Sequence, residues 1–211
     1  MSAPAPTISP NTAPAIVSLK VSGKKTILTG ILNGNASVTN VVTGNLVTLN
    51  LQDPDSMIMN QQGELVLASQ GDGELIIVRY PGLSCQKAFL VPLTSADGGS
   101  SIGDTQFDET VFTTQSAGEL LVADKQLNAV YAITAPYFGP AAYSAVSVYE
   151  TPDATNPLES FVGQTNLATG FVTPIVNGME EPGGMAFIPF GVDLAKYVKA
   201  SVQRPGVCPA G

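Results

Sequence analysis

The chain has 211 residues, 44% of them apolar and 12% charged, with a net charge of −8; this is enough apolar material for one substantial core and excludes disorder over most of the length. It contains no histidine, which removes Ser-His-Asp, Cys-His and HExxH chemistry together with the commonest metal ligand. The acidic balance, with no basic cluster beyond Lys24-Lys25, argues against nucleic acid as a partner, and no window reaches the roughly 18 apolar residues of a membrane-spanning helix.

Residues 1–14 are rich in Pro, Ala and Thr and read as a flexible leader like those that follow a signal peptide. The remainder, 15–211, reads as one domain. Ile16–Val21 alternates apolar and polar residues, turns at Gly23-Lys24-Lys25 and returns as Thr26–Leu32. Asn33-Gly34-Asn35 is a strong turn signal, and Val38–Val42 and Leu46–Leu51 continue the rhythm of strand and turn. Helical periodicity is absent here, and the 21 glycines and 16 prolines suit many short strands.

From Asp53 the pattern becomes a repeat. Met57-Ile58-Met59, Glu64–Ala68 and Leu75–Tyr80 are three short apolar strands, separated by Gly63 and by Gly71-Asp72-Gly73. Thr110–Thr114, Gly118–Asp124 and Ala129–Ile133 repeat them, with Gly63-Glu64-Leu65 matched by Gly118-Glu119-Leu120 at an offset of 55 residues. Glu181–Ile188 matches Asp53–Asn60 in character, giving a partial third unit over 181–191. The chain therefore reads as all-β, built from β-propeller-like repeated antiparallel blades, with clear units near 53–80 and 110–133. Between them, Asp97–Asp104 reads as a long loop at the rim. Leu194–Ala200 reads as a short terminal helix or strand.

Cys85 and Cys208 either close one long disulfide loop, as in an exported protein, or remain two thiols; without CxxC spacing they make a poor metal site. Asp124 reads as a turn-closing carboxylate that binds backbone amides.

The run Gly118–Val130, with Val-Ala-Asp at 122–124 and Asn128 in the following turn, resembles the NHL repeat. Pro54-Asp55 and Pro182-Gly183 resemble the approach to the inner strand in SMP-30/gluconolactonase-like propellers. Those families are typically six-bladed, so the resemblance implies either a piece of a larger propeller, closure by self-association, or blades hidden in the early strands. It also implies a central divalent-cation site built from carboxylates and an Asn. Here the candidates are Asp53, Asp55, Asp108, Glu109 and Glu180 or Glu181, with Asn60 nearby; oxygen donors of this kind suit Ca²⁺. The leading expectation is a non-catalytic binding or scaffold module, secreted or periplasmic, that takes an unknown protein or small-molecule ligand at its rim. The alternatives are a metal-dependent lactonase-type hydrolase and an incomplete propeller without isolated function.

Overall fold

The computed structural model describes residues 10–95, 105–113, 117–136, 138–148, 159–191 and 208. The leader's residues 1–9, the Asp97–Asp104 loop and the Leu194–Ala200 segment lie outside them. The protein is all-β and propeller-like, with several mainly antiparallel sheets, one of them curled into a half-barrel. The body begins earlier than the composition of the leader implies. The N–H of Asn11 donates to Asn50 Oδ1 at 3.1 Å, and Asn11 Nδ2 donates to the Leu51 carbonyl at 2.8 Å.

Strands β1 (Pro14–Ser22) and β2 (Lys25–Asn33) form a two-stranded ribbon. Ser22 faces Lys25 across it, so Gly23-Lys24 is a two-residue turn, and Gly23 supplies the positive φ of 60° that such a turn needs. At the base, Ile16 and Leu32 are buried and the Ile31 carbonyl accepts from Gln86 Nε2 at 2.7 Å. Every residue from 17 to 30 is exposed.

A six-stranded sheet follows, made of β3 (Ser37–Asn40), β4 (Leu46–Thr48), β5 (Pro54–Met59), β6 (Leu65–Ser69), β7 (Glu74–Arg79) and β8 (Lys87–Pro92), in the order β4-β3-β8-β7-β6-β5, with β3 and β8 a parallel pair. Its β5–β8 portion is an antiparallel four-stranded meander, the form expected of a blade. Both faces are covered. Val66, Ala68, Leu75 and Ile77 pack on one side with Phe107, Val146 and Phe161, and Leu67, Ile76 and Val78 pack on the other with Ile16, Leu32 and Leu51. Burial on both faces explains why Leu75–Val78 is continuously apolar rather than alternating.

The second sheet contains β9 (Thr94–Ser95), β10 (Thr105–Phe112), β13 (Ala142–Val148), β14 (Ser160–Thr165) and β15 (Phe171–Met179), in the order β10-β13-β14-β15-β9, with β9 and β15 a parallel pair. The third has β11 (Gly118–Asp124) at its centre, between β12 (Ala129–Ala135) and β16 (Pro182–Pro189).

The third sheet accounts for both sequence repeats at once. β16-β11-β12 reproduces β5-β6-β7 register for register. Met57 opposite Leu67 becomes Met185 opposite Val122, and Met59 opposite Leu65 becomes Phe187 opposite Leu120. Leu65 opposite Val78 becomes Leu120 opposite Ile133. Even the irregularity near Pro54 recurs near Pro182. The partial third copy is thus the first strand of the second unit, supplied from the other end of the chain. The fourth strand breaks the symmetry. β8 pairs with β7, whereas β13, its counterpart in chain order, pairs with β10 and β14.

Cys85 and Cys208 are bonded, with Cα atoms 5.9 Å apart across 123 residues of chain. A loop of that length restricts the unfolded chain strongly, so Cys208→Ser is expected to lower the unfolding free energy by about 2–4 kcal/mol in a denaturant titration. A reducing agent should weaken the wild type equally and leave the variant unchanged.

Candidate functional site

Two places gather polar side chains from distant parts of the chain. The first is an acidic junction where the start of β5, the middle of β10, the start of β16 and the β11–β12 turn meet. Register between β10 and β13 slips between Phe107 and Thr110, and this bulge takes Asp108 and Glu109 out of the ladder. Asp108 is buried, hydrogen-bonds the Asp55 side chain and receives Lys125 Nζ at 2.6 Å. Glu109 Oε2 accepts the Met185 N–H at 2.5 Å. Asp53 lies close enough for its charge to act on Asp55, and its Oδ1 is buried without a hydrogen-bond partner. Gly183 makes the approach possible, since a Cβ there would stand 2.5 Å from Lys125 Cε and 3.0 Å from Asp108 Oδ2.

The electrostatics follow from this crowding. Burial raises the Asp55 carboxyl above its ordinary value, the hydrogen bond and charge of Asp108 raise it further with help from Asp53, and Lys125 partly offsets them. Burial likewise raises Glu109; the Met185 N–H opposes that shift and the charges of Asp108 and Asp55 add to it.

Of the residues chosen from sequence, the fold therefore brings Asp53, Asp55, Asp108 and Glu109 into one neighbourhood. Glu181 stands beside it at the turn, where its N–H donates to Asp124 Oδ1 at 3.3 Å and its carbonyl accepts the Lys125 N–H at 2.9 Å. Glu180 is exposed, and its N–H donates to Asp124 Oδ2 at 2.9 Å. Asn60 does not join them. It closes the opposite end of β5, about 17 Å of strand away, where its Oδ1 accepts the N–H groups of Gln62 and Glu64, each at 3.0 Å. Among the described residues no three of His, Cys, Asp or Glu are placed so as to hold a metal ion. Lys125, which reads from sequence as a plain turn residue, supplies a cation to the carboxylates.

Asp124 is the turn carboxylate. Burial pushes it up, but backbone N–H groups of Glu180, Leu127, Glu181 and Gln126 outweigh that and hold it below its usual range.

The second place is a cleft of two adjoining hollows, of about 380 and 490 Å³, that share Glu64, Arg79 and Leu167. Its walls include three Asn-led turns, since Asn40, Asn60 and Asn166 each cap their own turn with the side-chain oxygen. Between the hollows Arg79 Nε donates to Glu64 Oε1 at 2.5 Å, and Asn60 Nδ2 donates to Glu64 Oε2 at 2.7 Å. The Arg79 guanidinium lies 4.6 Å from the Phe89 ring centroid, a cation–π contact. Held from two sides, Glu64 fixes Arg79 in place with half of its side chain open to solvent. The separate residues were visible in the sequence, but no local pattern links Arg79, Glu64 and Phe89.

Three variants probe this electrostatic frame. Asp124→Ala leaves several backbone N–H groups without their acceptor and should cost about 3 kcal/mol of stability. Lys125→Met strips the cation from buried Asp108 and should cost about 2–3 kcal/mol at neutral pH, with recovery on acidification as the raised Asp55 takes up a proton. Glu74 is raised from 4.5 to about 7 by burial and by the charge of Asp72. Because the folded value is the higher one, its contribution is full below pH 4.5 and is lost as pH rises through 7. Thermal melts of Glu74→Gln across that window should therefore lack the wild type's decline.

No protein-family model, curated protein or solved structure matches the chain.

Proposed function

We propose that the chain is a non-catalytic binding module of β-propeller type, exported from the cytoplasm, whose rim cleft takes a small-molecule or protein ligand. The observation that carries this reading is the cleft itself. Turns from three separate strand pairs converge there around Arg79, and Glu64 and Phe89 hold that side chain in advance of any ligand. Concave sites of this size with a few oriented polar groups are the usual form of a ligand pocket. Kinship with NHL and SMP-30/gluconolactonase-like propellers is supported by the 55-residue repeat and its preserved strand register. Export is favoured by the Cys85–Cys208 bond, since such bonds persist in oxidising compartments.

The competing hydrolase reading has one observation on its side, the unpartnered Asp53 Oδ1 beside three further carboxylates. Against it, the Lys125 ammonium sits on Asp108 at 2.6 Å, where a divalent ion would have to displace it. Thermal unfolding of the full chain in EDTA and in millimolar Ca²⁺ separates the two. The midpoint is expected to be the same in both. A calcium-dependent rise of the size that mass action requires, about 2.7 kcal/mol at a hundredfold excess over Kd, would replace the binding module with the metal-dependent enzyme.

A further inference from the structure

Among the described residues the strand repeat leaves one position unfilled. In the first unit the outer edge of β7 is covered by β8, Arg79 to Lys87 through Glu74 to Pro92. In the second unit β12 occupies the place of β7 in the same register, yet it ends its sheet, because β13 has gone to β10. β12 is consequently a seven-residue edge with Val130 69% and Tyr131 38% exposed. The other sheet-ending strands offer less: β9 and β4 have two and three residues, and Phe107, Val111, Met185 and Phe187 of β10 and β16 are buried. β5 is open at its edge too, but its unit already has four strands.

The β1–β2 ribbon has the converse need, being two strands that pair with no other strand among the described residues. Leu19 at 63%, Val21 at 66% and Leu28 at 63% exposure line one face, with Leu19 directly opposite Leu28. Charge separates the two surfaces as well. Residues 10–52 carry Lys20, Lys24 and Lys25 and no Asp or Glu, whereas all 17 carboxylates lie beyond them with the six other cations, a net of −11 from six minus seventeen.

We propose that the ribbon is an arm by which two copies of this chain associate, each laying one arm strand antiparallel along β12 of the other as the missing fourth strand. Main-chain hydrogen bonds along the edge supply affinity, as in other strand additions. The apolar ribbon face covers exposed side chains, and the lysines at the tip meet an acidic body. Reciprocal exchange closes the pair about a two-fold axis and uses both arms and both β12 edges.

Sedimentation equilibrium of the full chain at roughly 100 µM, a concentration at which affinities near 10⁻⁴ M are visible, tests this. A dimer is expected at low salt, weakening at about 0.5 M salt. Leu19→Glu on the arm and Val130→Glu on the edge should each weaken association tenfold or more. Both positions are exposed, so the far-UV circular dichroism and monomer melt should stay as in the wild type. Lys24→Glu with Lys25→Glu should weaken association and remove its salt dependence. A monomeric wild type at that concentration overturns the proposal, as does a dimer that survives both glutamate substitutions. A monomer whose arm binds vesicles containing anionic lipid would assign the arm to a membrane surface instead.

Discussion

One buried carboxylate ties the far end of the described fold to its middle. Asp124 accepts the Leu127 N–H of its own turn and the N–H groups of Glu180 and Glu181, so it joins the end of β11 to the segment that leads into β16. That junction reinforces the first strand of the second unit where it meets β11, alongside the Lys125 N–H on the Glu181 carbonyl at 2.9 Å. The equivalent place in the first unit is Ser69, whose hydroxyl donates to Asp72 within a single turn at 2.6 Å. The first unit closes on itself locally, whereas the second must reach across more than fifty residues. A charged acceptor that can take several donors suits that longer reach better than one hydroxyl.

The acidic junction is a by-product of the same architecture. Bringing β5, β10 and β16 together at one corner concentrates carboxylates that are far apart in sequence, and the bulge in β10 turns two of them out of the ladder at once. Such a corner is stable only if charge is removed or balanced. The raised Asp55 and Glu109 favour the first course and Lys125 provides the second. Gly183 allows the lysine stem to pass where any side chain would block it.

The repeat and the strands were legible because they are written locally. The turn glycine at 63, apolar runs of strand length and the Pro-Asp and Pro-Gly approaches all lie within a few residues of what they specify. Partner choice was not legible. Whether β13 lies beside β12 or β10 depends on which pairing covers Val111, Tyr143 and Ala145 better in the shared core, and no short window contains that comparison. The carboxylates at 53, 55, 108 and 109 were recognisable as a set, but their cation was not, because Lys125 sits in a run that any tight turn would tolerate. Asn60 misled for the opposite reason: an Asn at the end of a strand reads equally well as a ligand or as a turn former, and here its oxygen is occupied by its own turn.

The origin of β16 also dictates the order in which the chain can assemble. β5 to β8 are sequential hairpins whose strand pairing needs only residues 54–92. β11 and β12 can pair early, but they remain a bare hairpin until residues 182–189 have been made. Long-range strand pairing of this kind is slow to nucleate. The first unit can thus pair its four strands before the second has its third, although one of its faces is covered only by the later Phe107, Val146 and Phe161; a chain halted anywhere between residues 136 and 181 would hold the first meander and only a hairpin of the second.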